Sequence, residues 1–203
     1  MKNKLIKEKS RTSLINLLIK ERGFKSYLEI GVQVPTNNFN KIICEKKYGV
    51  DPAAKDVVTH PMTSDEFFQS NTESFDLIFI DGLHLSEQVI KDVDNSLKSI
   101  NKNGVIVLHD CMPKQKLHAQ RNRESNEWNG DVWKAAMYIR MNYEYVSLTV
   151  LDMDYGCGVL ETSKPQKLFP KIPIEDMTWD FYESNKVEAL NIMSVEEWLK
   201  KSE

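Results

Sequence analysis

Glycine and cysteine are both scarce in this chain, and each scarcity rules something out. Of 203 residues, 8 are glycine and 3 are cysteine. No Gly-x-Gly-x-x-Gly occurs: Gly31 has no second glycine at the required spacing. A pyrophosphate therefore lacks its usual backbone cradle, which counts against NAD or FAD. The cysteines, Cys44, Cys111 and Cys157, are odd in number and far apart, so neither a disulfide framework nor a zinc pattern is suggested. Long apolar runs are missing too. The opening MKNKLIKEKSRTSLINLLIKERG is charged and amphipathic, too short and interrupted in its apolar part for a signal peptide or a membrane span. Neither sign of charge dominates. A net charge of -3 and a pI near 5.9 give no reason to expect nucleic acid or an anionic membrane as partner. A reduced, cytoplasmic location is the default expectation, and the length fits one domain with a full core.

What is present is a repeating order of short apolar runs and helical patterns. Phe75 to Cys111 is the most informative stretch. FDLIFID and GVIVLHD are two apolar runs, each ending in aspartate, and they flank a segment in which Leu85, Val89, Val93, Leu97 and Ile100 recur at helical spacing. Asn103-Gly104 is expected to turn the chain into the second run. This is a βαβ unit, and the carboxyl ends of parallel strands are where ligands bind. Asp81, His84, His109 and Asp110 are expected to converge on one crevice.

Elsewhere, a first helix is expected over 12–22, capped by Thr12 or Ser13, and a strand over 26–31. TNNFNKIIC reads as the start of a helix capped by Thr36. KKYGVD (46–51) reads as a second strand, DVVTHP as a short third one, and TSDEFFQSN as a short helix opened by Thr63 or Ser64. Residues 111–130 form a long polar loop, of a length often used for lids or binding elements. Asp131 is placed to cap a helix over 132–142. Two strands from Tyr145 to Asp152 and Gly156 to Thr162 share the turn DMDYG, and helical segments follow around 176–191 and 194–201. The expectation is an α/β fold: a Rossmann-like, mostly parallel sheet with helices on both faces and a C-terminal antiparallel β-hairpin strand. Its parts are an N-terminal helix (1–24), a core (25–162) and a helical tail (163–203).

Two strand ends carry further chemistry. In YLEIG, Gly31 lets backbone approach a ligand, while Glu29 is an acceptor for an ammonium or a hydroxyl. Asp51 ends the second strand, where an acid commonly takes the ribose hydroxyls of an adenosine cofactor. The plainer readings are a strand-end charge for Glu29 and a cap before Pro52 for Asp51.

In this order, YLEIG, GVDP, TSDEFF, FDLIFIDGLH and GVIVLHDC, the chain resembles the class I S-adenosylmethionine-dependent methyltransferases over residues 25–162. Within that superfamily it is similar to small bacterial domains linked to sugar or glycan modification. Its strand-end pattern also resembles metal-dependent O-methyltransferases of the catechol and macrolide-sugar types. The resemblance implies that Glu29 and Gly31 form the first cofactor motif, that Asn37 contacts the methionine carboxylate, and that Asp51 binds the ribose. It further implies that Ser64 and Asp65 contact the adenine, that Asp81 is both cofactor-proximal and a metal ligand, that Asp110 is the second metal aspartate, and that His84 is the general base. Two positions depart from the pattern. Pro35 stands where glycine is usual, and Cys111 where catechol-type enzymes have an amide ligand, which leaves His109 as the other candidate for third ligand.

The chemistry these groups suit is methyl transfer to an oxygen of a small hydroxylated acceptor, a sugar or glycan precursor. The acceptor oxygen must lose its proton during attack. A divalent cation on Asp81 and Asp110 would polarise it, and an imidazole near neutral pH would accept the proton. Oxygen and imidazole ligands suit magnesium or manganese. Trp128 and Trp133 in WNGDVWK suggest an acceptor wall, with a core role for Trp133 as the plainer reading. Lys114, Lys116, Arg121 and Arg123 make the preceding loop basic, either to steer an anionic acceptor or as a solvated face. The tail aromatics Trp179, Phe181, Tyr182 and Trp198 read as packing or homo-oligomer contacts. Two alternatives stand beside this reading: a noncatalytic cofactor-binding or docking module on the same fold, and a nicotinamide oxidoreductase, which the missing glycine fingerprint disfavours. Nucleic-acid methylation lacks both a basic face and an N-P-P-Y motif.

Overall fold

A computed structural model describes residues 1–54 and 58–201. Its centre is a sheet of β1 (Ser26–Ile30), β2 (Lys46–Val50), β3 (Phe75–Ile80), β4 (Ile100–Leu108), β5 (Ser147–Leu151) and β6 (Cys157–Glu161), in the spatial order β2-β1-β3-β4-β6-β5. Strands β1 to β4 run parallel to one another; β6 runs antiparallel to both β4 and β5. The expected mostly parallel sheet with a C-terminal hairpin is what forms.

The strands are apolar on both faces because both faces are covered. Leu28, Ile30, Ile78, Ile80, Ile106 and Leu108 point into one core. That core is shared with α3 (Ser64–Ser70), α4 (Ser86–Ser99), α5 (Val132–Asn142) and α6 (Trp179–Ala189). The alternate residues Tyr27, Leu77, Phe79, Val105 and Val107 point into a second core with α1 (Lys2–Glu8), α2 (Arg11–Arg22) and α7 (Val195–Lys201). The period-two alternation of a strand divides its side chains between the two cores. The tail aromatics pack: Tyr182 is fully buried, its ring 4.9 Å from Trp133, and Trp198 joins the second core.

Several local expectations are corrected. The first long helix begins at Arg11, not at Thr12 or Ser13, because extended Ser10 is the cap and Ser13 its partner in a capping box. A short helix α1 precedes it. No α-helix follows Thr36; the segment makes only a 3-10 turn over Phe39–Lys41. Side chains compete for its backbone there. Asn16 accepts from the Ile43 N–H at 2.8 Å and donates to the Lys41 carbonyl at 3.0 Å, while Phe39 and Ile42 are drawn into the core. Asn103-Gly104 is not a turn before β4 but an irregularity within it: pairing with β3 starts at Ile100, shifts register, and Asn103 takes φ 66°. Of the strand expected at DVVTHP, residues 56 and 57 lie outside the described residues, and His60 makes a single parallel bridge to Val50. Asp131 does not cap its own helix. Its Oδ1 accepts the Ser86 N–H at 2.7 Å and so caps α4 instead.

Candidate active site

The carboxyl ends of β1 to β4 open on one cavity of about 790 Å³. Glu29, Gly31, Asn37, Asp51, Ser64, Asp65, Asp81, His84, His109 and Asp110 all line it, so these ten candidates share one rim. The ends of the strands are stitched together by backbone bonds: the Gly31 N–H donates to Val50, Asp81 to Ile30 and His109 to Ile80. Gly31 has φ +88°, and a Cβ there would stand 2.1 Å from the Asp81 carbonyl oxygen. Only glycine fits both the conformation and the approach.

At the β2 side, Asp51 is nearly buried. Its Oδ2 accepts from the Gln33 N–H and its Oδ1 from the Ala53 N–H, both at 2.7 Å. It is thus a loop cap and a cavity wall at once. Ser64 and Asp65 open α3 and are tied by Gln88 at 3.2 Å each, with Lys91 2.6 Å from Asp65. Asn37 is exposed. The buried amide is its neighbour Asn38, which donates to Glu29 at 3.0 Å and accepts from Thr12 at 2.7 Å. Burial raises the Glu29 carboxyl to about 7, against the hydrogen bonds of Tyr27 and Asn38, which favour its ionised form.

Under β3 and β4 lies a charged cluster. His109 Nδ1 sits 3.2 Å from Asp81 Oδ1 and 3.3 Å from Asp110 Oδ2, while its Nε2 faces Asp154 at 3.5 Å and Arg11 Nη1 at 3.2 Å. His84 Nε2 is 3.5 Å from Asp81, its Nδ1 bonds the Trp128 carbonyl at 3.0 Å, and the Trp128 ring stacks on it at 4.9 Å. Burial works against charge on both imidazoles, yet the neighbouring aspartates outweigh it: His84 is raised and His109 raised well above the ordinary imidazole value. Burial also opposes ionisation of Asp81, but His109, His84 and Arg11 hold it far below the usual carboxylate range.

Oxygen and nitrogen atoms of Asp81, His84 and Asp110 come within 4.8 Å of one another. With Nδ1–H given to a carbonyl, His84 Nε2 presents a lone pair to a carboxylate, and that juxtaposition requires a proton or a metal ion between them. The donor set fits a divalent ion. Asp110 adopts φ 59° and takes a 2.5 Å hydrogen bond from Asn129, whose own Oδ1 is buried without a partner. Cys111 is fully buried and burial pushes its thiol up steeply, so it is core rather than a ligand.

The loop residues divide similarly. Trp133 is core, whereas Trp128 lines the cavity. Arg121 is spent on Glu87 at 2.6 Å and Asp131 at 2.5 Å, and Arg123 lines the cavity. Sequence reasoning missed Arg11, Asn38 and Asn129. None of them belongs to a strand-end motif, so no local pattern marked them.

A Rossmann-like sheet with acids on four neighbouring strand ends defines a class of nucleoside-cofactor enzymes, and comparison narrows it. Residues 11–111 match the family described as a methyltransferase domain. The chain belongs to that family, the class I S-adenosylmethionine-dependent methyltransferases. Among solved structures it is similar to a Staphylococcus aureus protein provisionally described as a caffeoyl-CoA O-methyltransferase, at 16% identity and TM-score 0.55, covering 74% of this chain and 81% of that one. An O-methyltransferase from Bacillus cereus in complex with S-adenosylhomocysteine gives 16% and 0.55 over 75% and 81%. TomG, an O-methyltransferase of tomaymycin synthesis from Streptomyces achromogenes solved with S-adenosylmethionine, gives 14% and 0.54 over 76% and 79%. No curated protein matches the chain in sequence.

Proposed function

We propose that this methyltransferase acts on a hydroxyl oxygen of a small acceptor, a sugar or glycan precursor. The observation that carries the reading is the meeting of Asp81, His84 and Asp110 beside Trp128 in a cavity whose far end holds Asp51. S-adenosylmethionine, when bound, supplies a methyl group on a sulfonium, an electrophile that needs an aligned nucleophile. Asp51 and the first turn of α3 suit the ribose and adenine; Glu29 and Gly31 shape the wall behind the sulfur. A divalent ion, magnesium or manganese by donor type, would be held by Asp81, Asp110 and His109, whose Nδ1 lies within 3.3 Å of both carboxylates, and would supply Lewis acidity to the acceptor oxygen while leaving His84 Nε2 free for the proton. His84 Nε2 takes the hydroxyl proton as the oxygen attacks, and the positively charged surroundings of Asp81 keep that carboxylate ionised throughout. The half-buried indole of Trp128 offers a flat face to a sugar ring and fixes the ring plane of the neighbouring His84 imidazole by stacking. Positioning of this kind supplies much of the gain in a transfer that otherwise needs two molecules to collide in line.

Calorimetry with S-adenosylhomocysteine tests the cofactor half. Binding is expected in the wild type and at least about tenfold weaker in Asp51→Ala, a loss near 1.4 kcal/mol. No heat at millimolar ligand would overturn the reading. Transfer of labelled methyl from S-adenosylmethionine to a panel of hydroxylated sugars and nucleotide sugars tests the acceptor half, with label found only on nitrogen counting against it.

A further inference from the structure

We infer that Arg11 anchors the amino-acid carboxylate of S-adenosylmethionine at the β1 end of the cavity. The inference rests on reading the cavity as the cofactor's. That cofactor ends in a zwitterionic amino acid, so its site needs an acid for the ammonium and a cation for the carboxylate close together. Among the described residues lining the cavity, only Arg11 and Arg123 are permanently positive. Arg123 belongs to the loop carrying Trp128, and its Nε and Nη2 donate to the carbonyls of Ser125 and Asn126.

Arg11 is placed otherwise. It is the first residue of α2, and its backbone N–H is held by Asp154 Oδ2 at 2.8 Å. Its Nη1 donates to both Asp154 oxygens at 3.5 Å and stands 3.2 Å from His109 Nε2. The other edge of the fork is free: among the described residues Nη2 makes no hydrogen bond, and Nε is buried without a partner. The acidic oxygen facing Nε, Asp81 Oδ2, is 3.8 Å away, beyond hydrogen-bond reach. A guanidinium N–H buried without an acceptor is rare in a native protein. An Nε–Nη2 edge is the arrangement that receives a carboxylate through two parallel bonds. Asp81 Oδ2 beside it is left for the ammonium. Asn37, which the resemblance assigns to the carboxylate, lines the same cavity, but it is a neutral, exposed amide. A neutral amide offers the carboxylate no opposite charge, whereas a guanidinium edge adds a positive charge to two parallel bonds.

The test compares ligands with and without the carboxylate. S-adenosylhomocysteine and 5′-methylthioadenosine share the adenosine and thioether, and only the first has the amino acid. By calorimetry, Arg11→Gln is expected to weaken S-adenosylhomocysteine at least about tenfold while leaving methylthioadenosine within about twofold, with Arg11→Lys between. Retained S-adenosylhomocysteine affinity, or equal loss of both ligands, would overturn the anchor. If Arg11→Gln does not fold, the wild type carries the test: S-adenosylhomocysteine should bind at least about tenfold tighter than its decarboxylated analogue, and equal affinity refutes the inference. Failure of the wild type to bind any of the three would instead remove the cofactor reading, and the anchor with it.

Discussion

His84 shows how a residue's task is set by what surrounds it. Its Nδ1 is turned to the Trp128 carbonyl and its Nε2 to Asp81, so the atom available for proton transfer is Nε2. Neighbouring aspartates overcome burial and raise the imidazole above 6.5. A base must be neutral to act, so turnover is expected to rise with pH through an inflection above that value. His84→Ala should abolish the inflection and lower kcat on the order of 10²-fold or more, with little change in cofactor affinity. A wild-type rate that stays flat from about pH 6 to about pH 9 would remove His84 as the base. Asp51, Asp81 and Asp110 could be singled out in the chain because each closes a largely apolar run. Asn38 and Arg11 could not. Which of two adjacent asparagines turns inward depends on Glu29 and Thr12, brought up from other elements.

Among elements, the clearest lesson is Asp131. Its position before an apolar run marks it as a cap, and it is one, but for α4 rather than α5. Leu85 at the N-cap of α4 has no side-chain oxygen to offer, and the βαβ crossover sets the start of α5 against that end. Asp131 is 2% exposed and also holds Arg121 of the polar loop. Asp131→Ala is therefore expected to cost about 1–3 kcal/mol in urea unfolding, because a buried helix N–H loses its acceptor. A change below about 0.3 kcal/mol would show that Ser86 finds another partner. The helix that Thr36 fails to start belongs to the same scale. Helical signals are local, and here Asn16 on α2 binds the backbone groups a helix would have used.

For the molecule as a whole, the rim of acids and imidazoles makes stability depend on pH. Glu29 is raised from 4.5 to about 7, so the unfolded chain releases this proton before the folded one does. Stability is then lost as pH rises between those values, by on the order of 3 kcal/mol. His84 and His109, also raised, lose their contribution as pH climbs through their folded values. Asp81 acts oppositely, since its depressed value gives stability that disappears only as the solution turns strongly acidic. The ligand-free protein is expected to be most stable in mild acid. Glu29→Gln, which keeps acceptors for Tyr27 and Asn38, should reduce the fall between about pH 5 and about pH 8 in denaturant unfolding. An unchanged pH slope would show that Glu29 is not the group responsible.

The chain's own pattern determined the sheet, its mostly parallel sense and the acids at its strand ends. Apolar periodicity and the residue that closes each run are local properties, and local physics is enough to read them. Tertiary structure alone decided which side chains complete the site. Arg11 and Asn129 come from segments remote in sequence from the residues they face, and their places arise from distances that no spacing encodes. It also decided that Cys111, beside Asp110 in the chain, turns into the core, because the left-handed backbone at Asp110 separates the two directions.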